Sequence, residues 1–535
     1  MNEQVIGGSV DEMSAHAARP YVPPAACVTP NDPQYADCVR GRNERHIGTP
    51  ESVRIVNSTE QVVEVVQEAV HNDKRLTVIS SGHCFEDFIF NPDVQIVVDM
   101  SQMDRIYFDP ARNAVAVESG ATMLRTYETM YKDWGVTIPA GLCYSVAMGG
   151  HVSGGGWGPS SRDFGLVVDH LYAVEVVVVG KDGRARAVVA TRDPKDHNHD
   201  LWWAHTGGGG GNFGVITRYW FRSPGATGTD PRGLLPRPPK ELLLSAISWS
   251  WNDIDQSEFM NLARNYARWH VDNIAADNPL RAVTSYLILT HRANGQLGLI
   301  TQVDATVPGA DQILTDYLRF VSDGVSSESG ALTNAMTEHS PKPQFAAPVR
   351  LPWLQATRFN GTTNPAQNDP TFRAEFKSTF MRGVPSDRQL AALYQGMNAP
   401  TINNPLVGVQ FTPYGGRTNA VAPTATASVH RGAAFKMLFT AQWHDPTQDD
   451  VHISWMRETY ASMYADTGGV PVPNDVTDGC YVNYPDADLS DPRFNKSGTP
   501  WYTLYYKENY PRLQQIKRRY DPKNFFRHRQ SIQLP

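Results

Sequence analysis

The chain has 535 residues, more than one ordinary domain needs and enough for two or three. Hydrophobic residues make up 41% and the formal net charge is −7, with no run of Lys and Arg. A sizeable core is therefore possible, and the basic footprint of a nucleic-acid binder is missing.

No apolar stretch approaches the ~20 residues of a membrane span. The first residues, MNEQVIGGSVDEM, lack the basic start and apolar run of a signal peptide. A cytoplasmic protein with neither a membrane nor a nucleic-acid partner is expected. The five cysteines (Cys27, Cys38, Cys84, Cys143 and Cys480) form no CxxC pair, which argues against structural zinc and a disulfide scaffold. No metal site is expected. Cys27 and Cys38 could pair across a short loop; two free thiols is the competing reading.

Residues 1–50, rich in Ala, Pro and Asn, read as a lead-in arm. Arg54–Asn57 reads as a short strand. Ser58 followed by Gln61 is a capping-box pattern, and Val62, Val66, Ala69 and Val70 behind it share one helical face. Strands are predicted at Leu76–Ile79, Val94–Asp99 and Ala114–Glu118, and a helix at Met123–Trp134. This is a mixed rhythm in short pieces, without long parallel crossovers. Ala173–Val179 and Arg184–Val189 flank Lys181-Asp182-Gly183, and Asp-Gly is a favoured hairpin turn. Val215–Phe221 adds a strand.

Residues 222–240 hold many Pro and Gly and mark a domain boundary. Beyond them, strand-like Leu242–Trp251, Ala282–Thr290, Gly298–Ala305 and Phe435–Gln442 alternate with helix-like Ser257–His270, Asp311–Val321 and Val451–Tyr464. Asn294-Gly295 supplies a hairpin turn. An antiparallel sheet with helices on one face is expected. From about Gly479 the chain is motif-rich again and should return to the first domain. The expected division is an arm (1–50), a first domain (51–225), a second (226–475) and a returning segment (476–535), without internal repeats.

Four stretches carry chemistry. Ser80-Ser81-Gly82-His83-Cys84-Phe85-Glu86-Asp87 follows a strand, and small residues there let backbone N–H groups close around a pyrophosphate. It is neither a Walker loop nor GxGxxG; a strand–turn with a surface histidine is the alternative. Gly141–Gly158 holds seven glycines in eighteen residues, too many for a helix or strand interior but suited to backbone lying flat on a planar or phosphorylated ligand. A flexible loop is the alternative. Thr206–Thr217 carries a five-glycine run that leads through Asn212 and Gly214 into a strand. Gly479–Asp486 sets Tyr481, Asn483 and Tyr484 close together; read as a strand, it puts Tyr481 and Asn483 on one face and Tyr484 on the other, or on the turn before Pro485. A tyrosine serves as general base only if a cation or hydrogen bonds lower its pKa from about 10. Amphipathic packing is the commoner use of a strand tyrosine.

Together these stretches resemble the berberine-bridge-enzyme-like branch of the vanillyl-alcohol-oxidase flavoproteins. The closing Tyr505-Tyr506-Lys507-Glu508-Asn509-Tyr510-Pro511-Arg512-Leu513 and Tyr520-Asp521-Pro522-Lys523-Asn524-Phe525-Phe526 are similar to that family's tail. Asp200–Thr206 and Gly468–Val476 resemble the hexose oxidases of lipoglycopeptide biosynthesis. The resemblance implies an α+β fold: a PCMH-type two-part FAD-binding domain and a substrate domain built on an antiparallel sheet backed by helices. It implies FAD held covalently twice, by His83 at the 8α-methyl carbon and by Cys143 at C6.

Further cofactor contacts are implied for Ser80, Ser81, Gly82, Cys84, Phe85 and Asp87. In the glycine-rich stretch they are implied for Gly141, Val146, Gly149, Gly150, His151, Gly154, Gly155 and Gly158, and elsewhere for Gly214, Val215 and Asn483. Tyr484 is implied as the base that takes the proton of a substrate hydroxyl while hydride passes to flavin N5. Dioxygen then reoxidises the flavin and leaves as hydrogen peroxide. Tyr481 is a reserve candidate. Where the family has a tyrosine in Gly-Gly-Gly-Tyr-Gly, this chain has Trp157, which can stack and donate but cannot take up a proton; Tyr144 is a candidate substitute.

The implied substrate is a sugar, glycoside or glycosylated natural product. Oxidative cyclisation or amine oxidation of a secondary metabolite is the alternative, and a flavin carrier without turnover is the non-enzymatic one. A homodimer is compatible with the resemblance.

Overall fold

The computed structural model describes residues 21–362, 369 and 371–535. The first part of the lead-in arm, residues 1–20, lies outside the described residues.

Three sheets organise the chain. The first contains β1 (Ala26–Val28), β2 (Ser52–Ile55), β3 (Leu76–Ile79) and β4 (Ile96–Asp99), in the order β1-β2-β4-β3. Here β4 runs parallel to both β2 and β3, and only β1 is antiparallel. The chain between β2 and β3 is therefore a helical crossover, which the expectation of no long parallel crossovers did not include.

That helix, Thr59–His71, starts where Ser58 accepts the N–H of Gln61 at 3.3 Å, while the Gln61 side chain reaches back to the N–H of Asn57 at 2.8 Å. The box closes one residue earlier than its usual form. Its buried face (Val62, Val65, Val66, Ala69) packs against Ile96 and Val98 on one side and Val177, Val179 and Val215 on the other. The helix thus joins the first sheet to the second.

The second sheet, wholly antiparallel, has β5 (Ile106–Asp109), β6 (Ala114–Glu118), β7 (Leu171–Val179), β8 (Ala185–Thr191) and β9 (Val215–Phe221) in the order β5-β6-β9-β7-β8. The turn from β7 to β8 is the expected Asp182-Gly183, with Gly183 at φ 74.

The third sheet is also antiparallel. It contains β10 (Glu241–Ser250), β11 (Val283–Thr290), β12 (Gln296–Asp304), β13 (Gly330–Ala331), β14 (Val349–Pro352), β15 (Arg373–Met381), β16 (Gly408–Pro413) and β17 (Phe435–Trp443). The order is β13-β10-β12-β11-β16-β17-β15, with β14 on β10. Between β11 and β12 the turn is longer than a two-residue hairpin: Arg292–Asn294 form a single 3-10 turn before Gly295, at φ 85.

Alternation decides the two faces of this sheet. Phe411, Phe435 and Phe439 meet Tyr266 and Tyr460 of helices Gln256–Asp272 and Asp449–Met463. Tyr286 and Gln410 point instead into a cavity shared with the first two sheets. All five cysteines, Cys27 and Cys38 included, are free thiols. Among the described residues no helix is long and apolar enough to cross a membrane.

Candidate active site

A cavity of about 340 Å³ opens where the three sheets and the C-terminal segment meet. The loop after β3 contributes Ser80, Ser81, Gly82, His83, Cys84 and Phe85 to its wall. The glycine-rich stretch contributes Gly141, Cys143, Val146, Gly149, Gly150, His151 and Trp157, and the tail turn Tyr481, Asn483 and Tyr484. Ser81 Oγ ties the first two loops together by accepting the N–H of Ala147 at 2.8 Å.

At one end, His83 and Cys143 converge on a single hydroxyl. Ser145 Oγ lies 2.9 Å from His83 Nε2 and 3.8 Å from Cys143 Sγ. Burial, helped by the charge of Arg42, pulls the His83 pKa down to about 3, so its imidazole is neutral and keeps a nucleophilic lone pair. Burial and the charge of Glu338 push the Cys143 thiol up, while hydrogen bonds from Ser145 and Thr362 work the other way.

At the other end, the turn at Tyr481–Tyr484 is closed by Tyr484 N–H donating to Tyr481 O at 2.9 Å. It is a turn rather than the strand expected there. The two rings stand perpendicular, with centroids 5.1 Å apart. Asn483 Nδ2 donates to Tyr481 Oη at 3.0 Å and to His151 O at 2.9 Å, which locks the turn onto the glycine-rich stretch.

A lysine faces these tyrosines. Lys436 Nζ, from β17, lies 3.5 Å from Tyr484 Oη and 3.7 Å from the centre of the Trp157 ring. It is also 4.8 Å from the Tyr484 ring centre and 4.9 Å from that of Tyr481. Burial drives the Lys436 pKa well below its ordinary value and the Tyr484 pKa well above its own. The opposed shifts mean that neither group charges easily alone; charge on one favours charge on the other.

Several expected contacts sit elsewhere. Tyr144 is outside the cavity wall: its Oη donates to Thr357 O at 2.6 Å, and burial raises its pKa. Asp87 accepts from Asn91 Nδ2 at 3.0 Å instead of lining the cavity. Val215 is buried in the core between the first two sheets. Gly154, Gly155 and Gly158 lie behind the wall; a Cβ at Gly154 would meet Asn483 Oδ1 at 1.9 Å, and at Gly158 would meet Ala140 O at 1.5 Å. Those glycines permit packing beneath the site. Gly150 differs, since a Cβ there meets no protein atom within 4 Å and its backbone borders open space.

The cavity-lining Tyr286, Glu338, His339 and Gln410, and Lys436 beside Tyr484, come from the middle of the chain, and none was singled out from sequence. One signal was present: Lys436 interrupts the apolar run Phe435–Trp443, and a lysine inside a buried strand must find a partner.

These residues fit FAD. The wall is glycine-lined backbone on one side, the two nucleophiles converge at one end, and Trp157 Nε1 and Tyr286 Oη are buried in the wall without a hydrogen-bond partner among the described residues.

Comparison with known proteins agrees. Residues 50–188 match the family model "FAD binding domain" and residues 480–533 match "Berberine and berberine like". The chain is 46% identical to the aclacinomycin-N/aclacinomycin-A oxidase of Streptomyces galilaeus over 94% of this chain and 89% of that one. The solved structure of CrmK, a flavoenzyme of caerulomycin biosynthesis, superposes with a TM-score of 0.91 at 44% identity, over 96% of this chain and all of that one. The glycopeptide hexose oxidase DBV29, solved with teicoplanin, gives 0.88 at 44% identity with the same coverage. The chain belongs to the berberine-bridge-enzyme-like family of FAD-linked oxidoreductases.

Proposed function

We propose that this oxidoreductase carries FAD on two covalent bonds, from His83 to the 8α-methyl carbon and from Cys143 to C6. We further propose that it oxidises a CH–OH group of a sugar or glycosylated natural product. The observation that carries the reading is the pairing of the two ends of one cavity: two nucleophiles on Ser145, and Tyr484 under a buried lysine. Relatives that act on aclacinomycins and on a glycopeptide hexose support the substrate class.

Bound FAD supplies the two-electron acceptor, and dioxygen, taking up those electrons and two protons, leaves as hydrogen peroxide. The protein's share is positioning and proton control. Tyr484 Oη accepts the proton of the substrate hydroxyl, and Lys436 offsets the charge that develops on the phenol. Trp157 forms the flat wall beneath the lysine, and Tyr286 Oη and Trp157 Nε1 are donors left for substrate or cofactor. In this reading residues 51–225 and 476–535 bind FAD, and residues 226–475 roof the substrate.

The test is anaerobic mixing with a panel of sugars, glycosides and glycosylated metabolites. Bleaching of the flavin absorbance by at least one glycoside supports the reading. If only amines or phenolic metabolites bleach it, the sugar assignment fails and amine oxidation or oxidative ring closure takes its place.

A further inference from the structure

Glu86 lies three residues after His83, and one of its oxygens accepts the N–H of Ala487, three residues after Tyr484, at 2.7 Å. A single side chain thus bridges the loop of the proposed flavin tether and the turn of the proposed base. Around it stands a set of charges, with Lys377 and Asp486 buried and Arg457 at the edge. Lys377 of β15 donates to Asp486 Oδ1 and to Asp488 Oδ2, each at 2.7 Å. Arg457 pairs with both oxygens of Asp488, at 2.8 and 2.9 Å. Arg45 pairs with Glu375.

Glu375, Asp486 and Asp488 each have a cation in direct contact. Among the described residues Glu86 has none. Yet Glu86, Glu375 and Asp486 place oxygens within 4.8 Å of one another. Four carboxylates face three cations, so the fully ionised cluster would carry one uncompensated negative charge, which is costly away from water. Asp486, 2% exposed, also keeps one oxygen, Oδ2, without a hydrogen-bond partner among the described residues.

We propose that Glu86 is a positioning residue that works as a neutral carboxylic acid. It holds the proton the cluster lacks and accepts the Ala487 N–H, with its carboxyl within 4.8 Å of the Asp486 and Glu375 oxygens whose mutual repulsion that proton relieves. In that form it staples the Tyr484 turn to the His83 loop. Burial, with the charges of Glu375 and Asp486, keeps its carboxyl well above the usual range. The other titratable neighbours are Cys84, Asp87, Tyr505 and His46; burial and Arg45 hold His46 down to about 4, so it brings no positive charge at neutral pH.

A carboxyl whose folded pKa stands above its unfolded value stabilises fully below the unfolded pKa, and that stability is lost as pH rises through the folded pKa. Wild-type Tm should therefore fall on the alkaline side. In Glu86→Gln, which keeps the acceptor for the Ala487 N–H and cannot ionise, that fall should become shallower. Difference infrared spectroscopy of wild type against Glu86→Gln should show the carbonyl stretch of a protonated carboxylic acid in the wild type alone. Glu86→Ala should lower kcat/KM about tenfold or more, with Glu86→Gln restoring most of it.

The tyrosine's role rests on the function proposed above. The melting and infrared readouts need no substrate, so they stand or fall separately from it. The proposal is overturned if Glu86→Gln keeps the wild-type pH slope, if no acid carbonyl band depends on Glu86, or if elemental analysis finds a stoichiometric metal ion balancing the cluster. Should Glu86→Gln not fold, an infrared pH titration of the wild type decides, and a folded protein without a titrating acid band overturns the proposal.

Discussion

Lys436 and Tyr484 are two groups that burial alone would keep neutral, set 3.5 Å apart. At that distance charge on one favours charge on the other, so a proton taken up by the lysine would favour the phenolate a tyrosine base needs. Tyr484→Phe should lower the rate of flavin reduction about 10²–10⁴-fold, the usual worth of general base catalysis, with flavin content unchanged. Lys436→Met should move the rising limb of the pH–rate profile to higher pH, because the phenol then loses the amine 3.5 Å from its oxygen. Stopped-flow reduction across pH checks both. A Tyr484→Phe enzyme that reduces its flavin at the wild-type rate contradicts the assignment of Tyr484.

At the scale of elements, the C-terminal helix Tyr510–Tyr520 acts as a clamp on the cavity. Lys517 Nζ, fully buried, donates to Asn212 O at 2.6 Å at the end of the five-glycine run, to Asp521 Oδ2 at 2.7 Å, and to Phe526 O. Two cavity-lining segments are pinned by one ammonium. Lys517→Met strands the Asp521 carboxylate and should cost about 3–5 kcal/mol, the usual penalty for breaking a buried pair. The urea midpoint should fall and the protein should retain less flavin; a midpoint within experimental error of wild type contradicts the clamp.

Legibility also divides by element. The strands at 242–251, 282–290, 298–305 and 435–442 were readable because apolar and β-branched residues dominate them, broken mainly by small Ser and Thr, with Lys436 the conspicuous exception. β15 and β16 were not. Glu375, Lys377 and Gln410 interrupt them with groups that make sense only once Arg45, Asp486 and the cavity are in place. The loops that line the cavity after β3 and in the glycine-rich stretch were legible because runs of small residues are local features. Tyr144, the candidate substitute for the tyrosine that Trp157 replaces, was not placeable from sequence, because the Thr357 carbonyl that holds its hydroxyl lies more than two hundred residues away.

Across the whole molecule, burial keeps histidines neutral. His151, His339 and His528 are held down to about 3, and His205 to about 4. In the unfolded chain each would take up its proton near pH 6.5. Between that pH and the folded values the unfolded state binds more protons, so stability falls as pH falls. Each such histidine contributes a slope of about 1.4 kcal/mol per pH unit. Tm should therefore drop steeply from about pH 6.5 down to pH 4, read by scanning calorimetry. A Tm that stays level over this range would show that these imidazoles are not buried neutral.

The central claim is that one cavity holds FAD by both His83 and Cys143, and acid denaturation tests it most directly. Protein purified with its flavin is precipitated in acid, and flavin absorbance is read in pellet and supernatant for wild type, His83→Ala, Cys143→Ala and the double variant. The account predicts colour in the pellet for wild type and for each single variant, and release only when both residues are changed. Colour that washes out of the wild type, or that one substitution alone sets free, would contradict the double tether.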